Sequence, residues 1–109
     1  MIMQSQNVKL VVFVPVSHAD IIRKQLGESG AGKIGNYDFC SFSSRGIGRF
    51  CGDKNTNPAI GEAEKYESVE EDRIEVVVPR DILPKVVKDM KAVHPYEEVA
   101  FDIYPLENI

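Results

Sequence analysis

The stretch Val8-Lys9-Leu10-Val11-Val12-Phe13-Val14 is almost entirely apolar and rich in β-branched residues. A run of this kind is typical of a strand that is buried on both faces and therefore lies in the interior of its sheet. Pro15 ends the strand, and Ser17 is suited to be the N-cap of a helix that stops at Gly30. The chain thus begins with a strand followed by a helix.

The middle of the chain has the pattern of a hairpin. Residues 37–43 and 47–52 have strand character, and Arg45-Gly46 between them is suited to a tight turn. Residues 73–78 are a further strand, and a short extra strand is expected at residues 66–69. Between residues 37 and 78 the sequence therefore predicts strands and no helix.

The last third of the chain returns to a helix and a strand. Asp81 is suited to cap the helix, and Pro84 falls in its first turn, where a missing N–H is tolerated. The apolar residues of this helix recur at spacings of three and four, which places them on one face: Leu83, Val86, Val87, Met90 and Val93. Apolar residues then alternate over residues 99–103, which predicts the final strand.

This succession of elements, with its extra strand in the middle, matches the β-α-β-β-α-β plan and predicts an α+β ferredoxin-like sandwich with a central β-hairpin. In this fold an antiparallel sheet is covered on one face by two helices. We expect residues 1–109 to form a single domain, because no linker divides the chain. The sheet face without helices needs cover, so we expect the protein to form oligomers.

Composition and charge exclude several classes of protein. The net charge is −4 and no basic block occurs, which argues against a nucleic-acid partner. No apolar run approaches the ~20 residues that a membrane span requires. The N-terminus lacks the pattern of a signal peptide, so a cytoplasmic location is expected.

The two cysteines, Cys40 and Cys51, are expected to be reduced thiols in that compartment. With a two-residue turn at Arg45-Gly46, the two cysteines would lie opposite each other on neighbouring strands. Packing of two small residues is the simpler interpretation of this pair. A cysteine-dependent enzyme is a weaker alternative, because no histidine is a sequence neighbour of either thiol.

A glycine-rich motif lies at residues 27–33 and matches most of a P-loop. We reject a phosphate-binding role for it, because Ile34 stands where a Ser or Thr that binds magnesium is required. The segment also closes a helix, whereas a P-loop opens one and uses the free N–H groups of its first turn. A glycine C-cap and turn explains the motif.

The sequence His94-Pro95-Tyr96-Glu97-Glu98 places polar groups at the junction between the second helix and the last strand. Imidazole and carboxylate ligands suit a divalent metal, which makes His94, Glu97 and Glu98 candidate ligands, with Asp102 as a further carboxylate. The alternative is structural: His94 caps the helix and Pro95 sets the turn into the strand. No second histidine lies near in sequence, which favours the structural alternative.

Four segments together carry a resemblance to a known family: residues 30–42, 46–50, 57–62 and 94–98. They resemble the domain inserted in the middle of the bacterial Nif-three-like (YqfO) proteins, which also occurs alone as a small protein. The resemblance covers nearly the whole chain and implies a fold similar to CutA and PII-type proteins. It also implies a homotrimer built around the sheets.

The resemblance implies no catalytic residue that could be transferred to this chain, so an enzyme is not the first expectation. We expect a non-enzymatic small-ligand-binding or regulatory module, with a metabolite or a partner protein as its ligand. The candidates for lining a cleft between subunits are Tyr37, His94, Tyr96, Glu97 and Glu98. No cofactor is predicted; the alternative is a divalent-metal-binding protein of the CutA type.

Overall fold

The computed structural model describes residues 1–109 and contains four strands and two helices. Each helix is preceded by a 3-10 turn, at Val16–His18 and Arg80–Ile82. The elements are, in order, β1 (Met3–Pro15), α1 (Ala19–Glu28), β2 (Phe42–Cys51), β3 (Tyr66–Pro79), α2 (Leu83–Val93) and β4 (Phe101–Asn108).

The four strands form one sheet in the order β2-β3-β1-β4, and every neighbouring pair is antiparallel. This arrangement, with two helices, confirms the predicted α+β ferredoxin-like fold with a central hairpin. β1 lies in the interior of the sheet, as its apolar run predicts. Neither helix is long and apolar enough to cross a membrane.

The core lies between the helices and one face of the sheet. Alternate residues of β1 and β3, such as Leu10 and Ile74, are fully buried against Ile22 and Leu26 of α1 and Met90 of α2. Burial of one such side chain stabilises the fold by roughly 1.5–3 kcal/mol. The predicted apolar faces of both helices therefore make the main packing contacts of the domain.

The predicted turn at Arg45-Gly46 is wrong. β2 runs without interruption through both residues, and Arg45 lies opposite Asp72 of β3 while Gly46 lies opposite Glu71. The backbone of Gly46 does not have the positive φ that a two-residue hairpin turn of type I′ needs. The hairpin closes instead through residues 52–65, and the two strands predicted at 66–69 and 73–78 are one strand, β3.

The expected pairing of Cys40 with Cys51 is also wrong, because it depended on that turn. Cys51 lies opposite Tyr66, and Cys40 precedes β2 in an irregular segment. Both thiols are free. The segment before β2 is not a strand because Phe39 has a positive φ of 61° and its ring packs on Gly27, where a Cβ would collide with the ring.

The predicted helix caps at Ser17 and Asp81 are wrong as well. The Ser17 hydroxyl lies 2.8 Å from Nδ1 of His18, and neither helix has a side-chain hydrogen bond at its N-cap. Each of the two residues lies inside a 3-10 turn, and in each turn the first carbonyl accepts a hydrogen bond from the N–H of the first residue of the helix that follows, Ala19 or Leu83. The 3-10 turns thus replace the side-chain caps that the sequence suggested.

A buried carboxylate links three elements of the fold. The side chain of Asp72 on β3 is 7% exposed. Its Oδ1 accepts a hydrogen bond of 2.7 Å from Nε of Arg45. Its Oδ2 accepts a hydrogen bond of 3.3 Å from Nη1 of Arg23. Arg45 belongs to β2 and Arg23 to α1. The hydrogen bond from Arg45 is the main reason that the pKa of Asp72 lies below its usual value, and burial opposes the shift.

Replacing Asp72 by Asn should lower the free energy of unfolding by roughly 2–3 kcal/mol at pH 7, because two guanidinium groups lose their buried counter-charge. The folded-state pKa of Asp72 is below its unfolded value of about 3.9. The ionised carboxylate of Asp72 therefore stabilises the fold fully above the unfolded-state pKa, and this contribution is lost as the pH falls through the folded-state pKa. Denaturant unfolding at several pH values should show that the free energies of unfolding of the unaltered chain and of Asp72→Asn converge below about pH 4.

The matched control is Asp20→Asn, which makes the same chemical change on an exposed carboxylate 2.6 Å from the same arginine, Arg23. An exposed pair of this kind contributes about 0.5 kcal/mol. Equal losses in the two variants would contradict the role assigned to Asp72.

Candidate functional site

The connection between α2 and β4 is held in place by His94. Its backbone N–H donates to the carbonyl of Met90, 3.1 Å away, and ends the helix. Its Nε2 lies 2.8 Å from the carbonyl oxygen of Phe13, and its Nδ1 lies 3.1 Å from the backbone N–H of Tyr96. Because the carbonyl only accepts and the N–H only donates, the ring carries its proton on Nε2 and is neutral.

The environment of His94 favours this neutral form. The residue is buried, with 8% of its surface exposed, and burial lowers the pKa of the imidazole below its usual value. The hydrogen bond to Phe13 opposes the shift but does not cancel it. His94 therefore works as a structural link between β1 and the turn that carries Tyr96.

Tyr96 is directed towards the hairpin by this link. Its ring packs edge-to-face on Phe50 of β2, with 6.0 Å between ring centroids. Its hydroxyl donates to Oε2 of Glu71 on β3, 3.3 Å away. Burial and the neighbouring Glu71 raise the pKa of Tyr96 to about 12, so the hydroxyl keeps its proton.

A cavity of about 280 Å³ opens beside this tyrosine. Its walls come from the end of β2, the 52–65 loop, one residue of β3 and the 94–100 connection. The lining residues are 48–52, Thr56, Pro58, Ala59, Glu71, 96–98 and Ala100. The volume is at the small end of the range for small-molecule sites.

Gly48 explains how Glu71 reaches the cavity. A Cβ at Gly48 would collide with Oε1 of Glu71, so the carboxylate occupies the space that a side chain would fill. Burial raises the pKa of Glu71 above its usual value, and the hydrogen bond from Tyr96 opposes the shift. Neither Gly48 nor Glu71 was a candidate from the sequence, because only the pairing of β2 with β3 brings them together.

The structure brings together three of the five residues predicted for a site. Tyr96, Glu97 and Glu98 line the cavity, and Oε1 of Glu97 accepts a hydrogen bond of 2.9 Å from the backbone N–H of Asn57 in the 52–65 loop. His94 supports these residues from behind. Tyr37 is 75% exposed and does not line the cavity, because its loop attaches through Gly32 to the carbonyl of Val77 near the other end of β3.

The geometry offers little for metal or cysteine chemistry. No group of three or more His, Cys, Asp or Glu side chains is placed to hold a metal ion. Both ring nitrogens of His94 are already engaged in hydrogen bonds, so the ring could bind a metal only after breaking its hydrogen bond to Phe13 or to Tyr96. Cys51 lines the cavity, but its thiol points to the carbonyl of Gly52 rather than to a histidine.

Sequence comparison links the chain to longer bacterial proteins. It is 52% identical over 100 residues to a GTP cyclohydrolase 1 type 2 homolog of Halalkalibacterium halodurans, and 48% identical over 99 residues to the one of Bacillus subtilis. The matches cover 92% and 91% of this chain but 27% and 26% of the relatives. No model of a protein family matches the chain.

A solved structure agrees with the sequence match. The Bacillus cereus protein related to NIF3 superposes with a TM-score of 0.77 at 47% identity, over 97% of this chain and 26% of that one. The chain is homologous to one segment of the NIF3-related proteins. It spans about a quarter of their length.

The NIF3-related segment has the fold of CutA. The periplasmic divalent cation tolerance protein CutA of Archaeoglobus fulgidus superposes with a TM-score of 0.66 at 20% identity, over 92% of this chain and 83% of that one. The PII-like protein CutA of Nostoc gives a TM-score of 0.65 at 14% identity, over 91% and 80%. The resemblance predicted from the sequence is therefore confirmed for both the homologues and the fold.

Nitrogen NMR should find His94 as the neutral tautomer with its proton on Nε2 at pH 7. It should titrate below the ordinary histidine value of about 6.5, because burial disfavours the imidazolium. Folding stability should then fall as the pH drops from about 6.5 through the folded-state pKa, since the unfolded chain takes up the proton first. The variant His18→Gln assigns the two histidine spectra, and an Nδ1–H tautomer would contradict the structural role.

Proposed function

We propose that the chain is a small-ligand-binding or regulatory module that acts as a homotrimer, and that it is not an enzyme. The observation that carries the proposal is the cavity beside Tyr96, which has both apolar walls and polar groups, as ligand sites in proteins do. The thiol of Cys51 and the hydroxyl of Thr56 in the cavity are directed to backbone carbonyls and not to a general base that could activate them.

The oligomer is supported by surfaces that a single chain leaves uncovered. β2 is an edge strand, and its side chains of Phe42 and Ile47 are 68% and 56% exposed. Tyr66, at the start of β3, is 71% exposed. Apolar side chains on an unpaired edge strand favour association, and copies of the same chain related by symmetry are its most common form.

Names carried by similar proteins do not define the activity of this chain. The longer relatives are called GTP cyclohydrolase 1 type 2 homologs, but about three quarters of their length has no counterpart here. The CutA of Archaeoglobus fulgidus is described as a divalent cation tolerance protein, and its 20% identity supports a common fold only. Divalent-metal binding through His94, Glu97 and Glu98 remains an alternative prediction.

Native mass spectrometry should give the mass of three chains, because a trimer would cover the exposed edge strands. The measurement is made before and after treatment with a chelator. A bare monomer would contradict the assembly. A stoichiometric metal that the chelator removes, and that the variant His94→Ala no longer binds, would favour the metal alternative over the module proposed above.

A screen of metabolites by thermal shift, followed by calorimetry, should find compounds whose binding depends on the cavity. Tyr96→Ala should lower the affinity of such compounds by about tenfold or more, because it removes one aromatic wall and the hydrogen-bond partner of Glu71. Tyr37→Ala is the matched control, since it removes the same side chain outside the cavity. Absence of any binding compound, or equal losses in the two variants, would count against the ligand-binding role.

A further inference from the structure

We infer that the cavity beside Tyr96 selects a small organic cation: a compact apolar body with an ammonium or amidinium group that binds the carboxylate of Glu71. The inference rests on the proposed ligand-binding role and adds the chemical class of the ligand. Four features of the cavity support it: an unneutralised carboxylate, the sign of the remaining charges, the aromatic wall and the shape of the floor.

Glu71 forms no ion pair, although other acidic residues of β3 do. Glu70 lies 3.8 Å from Arg45, Asp72 lies 2.7 Å from the same arginine, and Glu75 lies 3.8 Å from Lys9. Glu71 has a single polar partner, the hydroxyl of Tyr96, which binds Oε2. Its Oε1 lies over Gly48 without a donor, although the carboxylate is partly buried in the cavity wall.

The remaining charges of the cavity are also unfavourable for an anion. Two more carboxylates, Glu97 and Glu98, line it, and Arg49 is the one cationic residue among the lining residues. Arg49 alternates with Gly48 and Phe50 along β2, so its side chain leaves the strand on the opposite face. Arg73 lies two residues from Glu71 on the same face of β3, but it does not line this cavity and its guanidinium lies 3.5 Å from the carboxylate of Glu75. A cationic ligand in the cavity would therefore meet carboxylates on the side of Glu71.

The other walls fit an organic cation better than a metal ion. Phe50 and Tyr96 present aromatic rings, which attract cations through their faces. Ala59, Pro58 and Ala100 form apolar surface for the body of a ligand. Because no three metal-ligating side chains converge, a bare divalent ion would lack the ligands that it needs.

The carboxylate of Glu71 forms part of the cavity floor. It lies over Gly48, in the space that a side chain there would take, so a flat cationic group in the cavity can meet its Oε1 directly. An amidinium offers two parallel N–H donors to a carboxylate, and such bidentate pairs are among the stronger hydrogen bonds in proteins. Benzamidine has this group on a flat apolar ring, and benzamide has nearly the same shape without the charge, so the two form a matched pair of probes.

The test is a titration of the unaltered 109-residue chain with benzamidine and with benzamide, followed by calorimetry and by backbone amide NMR. Benzamidine should shift the amide signals of Gly48, Phe50 and Tyr96 and should bind at least about tenfold more tightly than benzamide. Glu71→Gln should lower the affinity for benzamidine by at least about tenfold. The control Glu70→Gln, which makes the same change on the opposite face of β3, should alter the affinity less than about twofold.

Equal binding of the two probes overturns the inference, and so does an unchanged benzamidine affinity in Glu71→Gln or the absence of shifts at the cavity. The comparison of probes uses the unaltered chain, so it decides the question even if Glu71→Gln fails to fold. The metabolite screen keeps the two proposals apart. Neutral or anionic compounds that bind in a Tyr96-dependent way would refute the cation preference and leave the ligand-binding role intact.

Discussion

The position of β2 depends on one buried charge. Asp72 lies on the helix-covered face of β3 and binds Arg45 of β2 and Arg23 of α1. A shift of one residue in the register would move Arg45 to the other face and leave the carboxylate without its partner. The same register places Gly48 and Phe50 beside Glu71, so the cavity on one face of the hairpin is determined by an ion pair on the other.

Much of the fold could be predicted because its signals are local. The apolar run of β1 indicates an interior strand, and the spacing of Val86 and Met90 indicates the buried face of α2. The predicted turn at Arg45-Gly46 shows where local signals fail. Arg-Gly is compatible with a turn or with a strand, and the choice is made by the cross-strand contact with Asp72, which has no local trace in the sequence.

The residues of the candidate site likewise fall into those that local sequence indicates and those that only strand pairing brings together. Tyr96, Glu97 and Glu98 are neighbours in sequence and could be identified together at the helix-to-strand junction. Glu71 and Gly48 come from two other strands, and only their pairing creates the recess that the carboxylate fills. His94 could be read as a ligand or as a cap from the sequence; its hydrogen bonds to Phe13 and Tyr96 give it a structural role.

The 52–65 loop forms one wall of the cavity and lies outside the core. One hydrogen bond, from the N–H of Asn57 to Glu97, joins it to the opposite wall, and its other hydrogen bonds stay within the hairpin. Apart from Gly52 and Gly61, where a Cβ would collide with Thr56 and with Glu67, changes in this loop would alter the size and lining of the cavity at little cost to folding. Natural selection could therefore reshape the proposed ligand site while the sheet, the helices and the carboxylate of Glu71 are inherited unchanged.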